Sequence, residues 1–175
     1  VSGNSIDCEG APRALTLTQD RFDGHIVATW FEQEQAVAQT FTVPAPGLQL
    51  AEFAPTFDYA LGRGATVSIH HLEDPRDPMS GRELAISPLD ALAIPSGLPA
   101  TIRLAQPVPL ACGGVYSMVV RPERDSELAV LSTVFTGGGN VYPAGAMFIG
   151  GPGRWEPTGG DMWFEVALEP AATNG

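Results

Sequence analysis

Aromatic residues in Gly-rich sequence are the first candidates for chemistry. Trp155 lies in Gly-Pro-Gly-Arg-Trp-Glu-Pro, with Arg154 and Glu156 on either side. Exposed Trp and Tyr side chains stack on the apolar faces of sugar rings, while neighbouring polar groups bond the hydroxyls. A tryptophan between charged residues in flexible sequence suits such a binding loop. Tyr142, shortly after Gly-Gly-Gly and Asn140, is a weaker candidate of the same kind. In the last alternating run, Met162, Phe164, Val166 and Leu168 share one face, so Trp163 and Glu165 face the other way. Trp163 is then either covered by the Gly-rich stretch or open to a ligand or partner. Trp30 alternates with Ile26 and Ala28 and reads as core.

The other reactive residues carry weaker signals. His70 and His71 are adjacent in a strand-like run, so their side chains point to opposite faces and cannot chelate one metal there. No Gly-x-Ser-x-Gly elbow marks a nucleophile. Glycoside hydrolysis needs two carboxylates across a cleft, and among 20 acids some pair is inevitable, so the count decides nothing. All nine bases are arginine, and without lysine there is no Schiff-base or P-loop chemistry. A net charge of −11 leaves no basic face for a nucleic-acid backbone. These features point away from an enzyme and from nucleic-acid partners.

Cys8 and Cys112 are far apart, and neither belongs to a Cys-x-x-Cys pair, which disfavours zinc. A disulfide between them is expected. It would close a loop of about 100 residues, contributing roughly 4–5 kcal/mol at most in the chain-entropy model. A first residue other than Met fits a removed leader, and no apolar run approaches the length of a membrane span. The expected location is therefore secreted, extracellular or at the cell surface.

The elements that must position these residues are strands. The chain has 175 residues, enough for one domain over 1–175, with 20 Gly and 16 Pro. Short alternating runs recur at His25–Phe31, Ala36–Val43, Leu48–Leu61, Ala65–Leu72, Arg82–Ile86, Thr101–Ala105, Val115–Arg121, Glu127–Val134 and Met162–Leu168, after an opening run at Arg13–Gln19. Pro55 is expected to split or bulge the long run Leu48–Leu61. Parallel α/β folds need long helical crossovers, and none is present. Ser87-Pro88-Leu89-Asp90 begins like a helix, but Pro95 limits it to one turn. Glu73–Gly81 is a polar excursion, and 136–161 is a long loop with nine glycines in which Ala144–Ile149 can form a short strand. The fold class is all-β, an antiparallel jelly-roll sandwich. Its expected core includes Phe41, Val67, Ile69, Leu104, Tyr116, Met118, Val120, Leu128, Val130, Phe164 and Val166.

The order Ala38-Gln39-Thr40-Phe41-Thr42, Ala65-Thr66-Val67-Ser68-Ile69, Pro107-Val108-Pro109-Leu110, Gly113 to Val120, then Trp155 and Asp161 to Val166, resembles a known type of module. It is similar to the extracellular jelly-roll β-sandwich modules of secreted bacterial proteins. These include choice-of-anchor domains and are akin to carbohydrate-binding modules. The resemblance covers about residues 36–168. It departs at Cys112-Gly113, where Ala-Gly is usual, and at the longer, more charged 73–81 segment. It implies a non-catalytic protein and offers a second role for Trp155, folded back as a plug of the sandwich. It also implies a possible structural calcium ion, with Asp161 as the candidate ligand. The leading expectation is a secreted module that binds a polysaccharide or cell-surface glycan through Trp155, Tyr142, Trp163, Arg154 and Asn140. The alternative is a structural protein that assembles with itself or other surface proteins in a cell-surface layer, an appendage or a virus-like particle, where unpaired edge strands would matter.

Overall fold

A computed structural model describes residues 6, 8–19, 25–31, 35–134, 144–151 and 153–172, with backbone alone at 25–31 and 134. The strands are β1 (Leu15–Gln19), β2 (His25–Phe31), β3 (Ala36–Thr42), β4 (Leu48–Pro55), β5 (Phe57–Leu61), β6 (Gly64–His71) and β7 (Arg82–Asp90). They continue with β8 (Ile102–Pro109), β9 (Val115–Pro122), β10 (Glu127–Val134), β11 (Met147–Gly150), β12 (Glu156–Pro157), β13 (Gly160–Met162) and β14 (Phe164–Pro170). Every named ladder between them is antiparallel.

Six strands in the order β12-β11-β3-β9-β6-β7 form one layer. The opposite layer joins two smaller sheets, β1-β14-β4-β8 and β13-β10-β2, with β5 also on β10. They meet at a seam of three backbone hydrogen bonds. Thr56 N donates to Trp163 O at 3.1 Å, Trp163 N to Leu131 O at 2.8 Å, and Leu131 N to Thr56 O at 2.9 Å. The chain splits its long run Leu48–Leu61 at Thr56, directly after Pro55. Residues alternate along each strand, so one row from each layer meets inside. Phe41, Phe53, Phe57, Tyr116, Met118, Leu128, Met162 and Phe164 are among the fully buried residues of this single core. The fold is thus the expected all-β sandwich, and the chain crosses repeatedly between layers as a jelly roll requires. Leu104 packs against the core only in part. The side chains of Ile26, Ala28 and Trp30 lie outside the described residues.

The expected helical turn moves. Ser87 and Pro88 belong to β7, and the 3₁₀ turn is Ala91–Ala93, capped by the Asp90 carboxylate, which accepts from Leu92 N at 2.9 Å. Proline is tolerated in β7 because this strand ends its sheet and one of its edges carries no ladder among the described residues. Pro107 and Pro109 occupy β8, another edge strand. Both edges are thereby made poorer templates for further pairing.

Cys8 and Cys112 are bonded, tying the segment before β1 to the turn between β8 and β9 across 104 residues. No helix among the described residues is long and apolar enough to cross a membrane. Replacing both cysteines by serine is expected to lower the unfolding free energy by about 2–4 kcal/mol. Urea denaturation of the paired variant measures it, and an unchanged midpoint would mean that the bridge does not restrain the unfolded chain.

Candidate functional site

Tyr116, Met118 and Val120 of β9 point into the core, so Ser117, Val119 and Arg121 face outward from the six-stranded layer. Ala36 and Ala38 of β3 lie on the same outer face, as do Ser68 and His70 of β6. Register confirms the neighbours: Ala38 pairs with Val119, Ser68 with Val119, and His70 with Ser117. This outer face is largely buried. Ala38, Val119, Ser68 and Ser117 have no exposed surface, and His70 has 3%. A sheet face made of small residues needs a cover, and two segments supply it.

The 73–81 excursion folds back over one end. Pro78 O accepts a hydrogen bond from Ser117 Oγ, and Met79 packs against the Ala36, Ala38 and Val119 cluster. The excursion is held by its own turns, with Asp74 accepting from Arg76 N and Asp77 from Met79 N. Trp155 covers the other end, resting half-buried on the same three small residues. Gly150 makes this return possible. Its φ is +145°, and a Cβ there would stand 2.0 Å from Arg154 O and 3.2 Å from Trp155 Cα. Trp155 is therefore neither a plug of the sandwich interior nor a side chain waving in a loop. It packs against the outside of the sheet, with part of its surface accessible. Its indole Nε1 is buried and has no hydrogen-bond partner among the described residues. Arg154 and Glu156 beside it are exposed.

Trp163 sits on the opposite outer face. Leu128 and Val130 of β10 point inward, so Thr133 points outward, and Trp163 Nε1 donates to Thr133 Oγ1 at 2.7 Å. Only 8% of Trp163 is exposed, leaving little ring surface for stacking. The structure thus separates Trp155 from Trp163 by the thickness of the sandwich. Trp163 does line a pocket of about 210 Å³ with Gln19, Thr56, Gly97, Pro99, Phe164 and Glu165. Gln19 is 2% exposed and its amide nitrogen lacks a partner among the described residues. The volume falls below the roughly 300–1,000 Å³ of ordinary ligand sites, so this pocket holds at most a small polar group. Tyr142 and Asn140 lie outside the described residues.

Asp161 is 1% exposed and accepts a hydrogen bond from Gln39 Nε2 at 3.0 Å. Calcium takes six to eight oxygens. No group of three or more His, Cys, Asp or Glu is gathered for a metal among the described residues. Asp161 serves here as a buried hydrogen-bond acceptor for Gln39. A larger depression, lined in part by Glu52 and Glu169, has its carboxylates engaged, Glu52 with Arg103 and Glu169 with Gln49.

Two residues of this surface escape a reading by motif. Arg121 and His70 sit in ordinary strand sequence, and their significance comes from what lies across the ladder. Arg121 faces away from the core because it alternates with Tyr116, Met118 and Val120 along β9. No protein-family model matches the chain, and no curated protein matches it either.

His70 is held neutral. Burial lowers its pKa from the usual value, assisted by the charge of Arg121 and opposed by Glu83 and Asp77. Its Nε2 lies 2.9 Å from Ser68 Oγ. The unfolded chain takes up a proton at about pH 6.5, which the folded chain refuses until lower pH. The stability this histidine contributes is therefore complete above about pH 6.5 and is lost as pH falls through the lowered folded value. The His70→Asn variant is expected to show a shallower loss of melting temperature between pH 7 and pH 5 than the parent. Parallel pH profiles would refute this reading.

Proposed function

We propose that this chain is a non-catalytic glycan-binding module of secreted or cell-surface proteins, with Trp155 as its stacking residue. The observation that carries this is the seat of Trp155. A half-buried indole is fixed against a floor of Ala36, Ala38 and Val119, with an exposed arginine beside it. A ring held in place loses little conformational freedom on binding, which is what a sugar platform needs. The disulfide fits an oxidising compartment outside the cytosol. The similarity to extracellular jelly-roll modules supports the same reading.

Assembly into a larger structure is the second reading, and one feature favours it. Tyr59 and Leu61 on β5, with Leu92 and Leu98 in the adjoining segment, are large apolar residues exposed by 36%, 55%, 96% and 62%. That segment is tied to β5 through Gly97 N donating to Phe57 O at 2.8 Å. An apolar strip of this kind suits a contact between chains.

Affinity electrophoresis against soluble polysaccharides, with calcium and with EDTA, tests the first reading. Retardation is expected, and Trp155→Leu is expected to reduce it at least tenfold while keeping an apolar cover on the sheet. Absence of retardation on a broad panel, together with concentration-dependent sedimentation that Leu92→Asp abolishes, would replace glycan binding by assembly.

A further inference from the structure

Arg121 is anomalous in so acidic a chain. The sequence holds 20 carboxylates against nine arginines, yet the half-buried Arg121 guanidinium has no ion-pair or hydrogen-bond partner among the described residues. Its Nε is fully buried and unsatisfied. Leaving a buried donor of a charged group without an acceptor is costly. The nearest carboxylate along the strand, Glu123, accepts from Thr66 Oγ1 instead, and Thr66 is itself the ladder partner of Arg121.

The second unsatisfied donor lies on the same face. Arg121 is two residues beyond Val119 on β9 and so shares its side of the sheet, and Trp155 packs on Val119 and Ala36. One register step beyond the Val37–Val120 pair sets Arg121 opposite Ala36. The Arg121 guanidinium, half-buried with its Nε fully covered, and the buried indole N–H of Trp155, both lacking acceptors among the described residues, therefore flank one floor of small residues. At the far end of the floor His70 adds no positive charge, since burial keeps it neutral, and Asp77 and Glu83 act on it there.

The geometry points to an anion subsite at Arg121 and Trp155 that takes the carboxylate of a uronic acid, making the ligand an acidic polysaccharide. Arginine matches a carboxylate with two parallel N–H bonds, the indole N–H adds a third donor, and the ring stacks on the sugar that carries the acid. This assignment rests on the glycan-binding reading and names its ligand class. A chain of net charge −11 repels polyanions at long range, so attraction to one would have to arise at a specific site.

Titration calorimetry of the full chain with uronate tetrasaccharides tests it, using galacturonate, glucuronate and mannuronate series, each against its fully methyl-esterified form. In at least one series the acid is expected to bind at least tenfold more tightly than the ester. Arg121→Gln should erase that preference while leaving ester binding in place. Trp155→Phe, which keeps a ring but removes the N–H, should weaken the acid about tenfold and the ester little. The melting temperature of Arg121→Gln should stay level or rise, because no partner is lost. Equal binding of acid and ester in every series, or a preference that survives Arg121→Gln, would overturn the subsite and leave the glycan reading standing. A fall of melting temperature in Arg121→Gln would assign the arginine to structure and also overturn it. Absence of binding to these sugars and to a neutral polysaccharide panel would overturn both.

Discussion

A buried amide on β3 holds the two layers in their relation. Gln39 points inward on β3, where the alternation calls for an apolar residue, and it has no exposed surface. Its side chain accepts from Met162 N at 2.8 Å and donates to Asp161 Oδ1 at 3.0 Å. Buried polar groups are costly unless satisfied, so this pair permits few alternative positions for β13. With β13 fixed, Met162 and Phe164 enter the core and Trp163 falls on the outer seam. The same constraint sets where the chain must return from β11, and hence where the 151–155 turn can lie.

That return explains how a loop residue becomes part of a surface. β11 pairs with β3 from Met147–Gln39 to Gly150–Ala36. The turn then closes with Arg154 N donating to Gly151 O at 2.9 Å, and Gly150 accepts the close approach that follows. Trp155 has one place to go, onto Ala36, Ala38 and Val119. Small residues there are a requirement of the cover and not merely a tolerance, since larger side chains would lift the indole away from the sheet. The charged 73–81 excursion completes the cover from the other end through Pro78 and Met79. The outer face of this layer is thus a trough of polar and small residues, covered by Met79 and by the half-buried Trp155.

Much of the fold could be read in the chain. Strand parity placed Phe41, Met118, Val130, Phe164 and Val166 in the core, and Pro55 marked the break between β4 and β5. The cysteine pair was expected from the absence of metal-type motifs and from the other signs of a secreted protein, and the bond is present. The helical reading of Ser87-Pro88 failed because capping chemistry is local, whereas membership of β7 is decided by the ladder with β6. The site was less legible. Trp155 and Trp163 are eight residues apart and looked like one constellation, yet the seam at Thr56 and the return after Gly150 put them on opposite faces. The bond between Asp161 and Gln39 was not legible either, because the two are 122 residues apart in sequence. Arg121 carried no motif at all, and its lack of an acceptor exists only once β3, β6 and β9 are side by side.

On the proposed glycan-binding reading the Trp155 face is the working surface and the Trp163 face a structural one. The chain has three tryptophans, so its nitrogen-15 spectrum contains three indole N–H signals, assignable by single Trp→Phe variants. Titration with the tightest-binding oligosaccharide should move the Trp155 signal and slow its exchange with water. The Trp163 signal, already bonded to Thr133, should stay in place. A ligand that shifts Trp163 and leaves Trp155 unmoved would contradict the assignment of the working face.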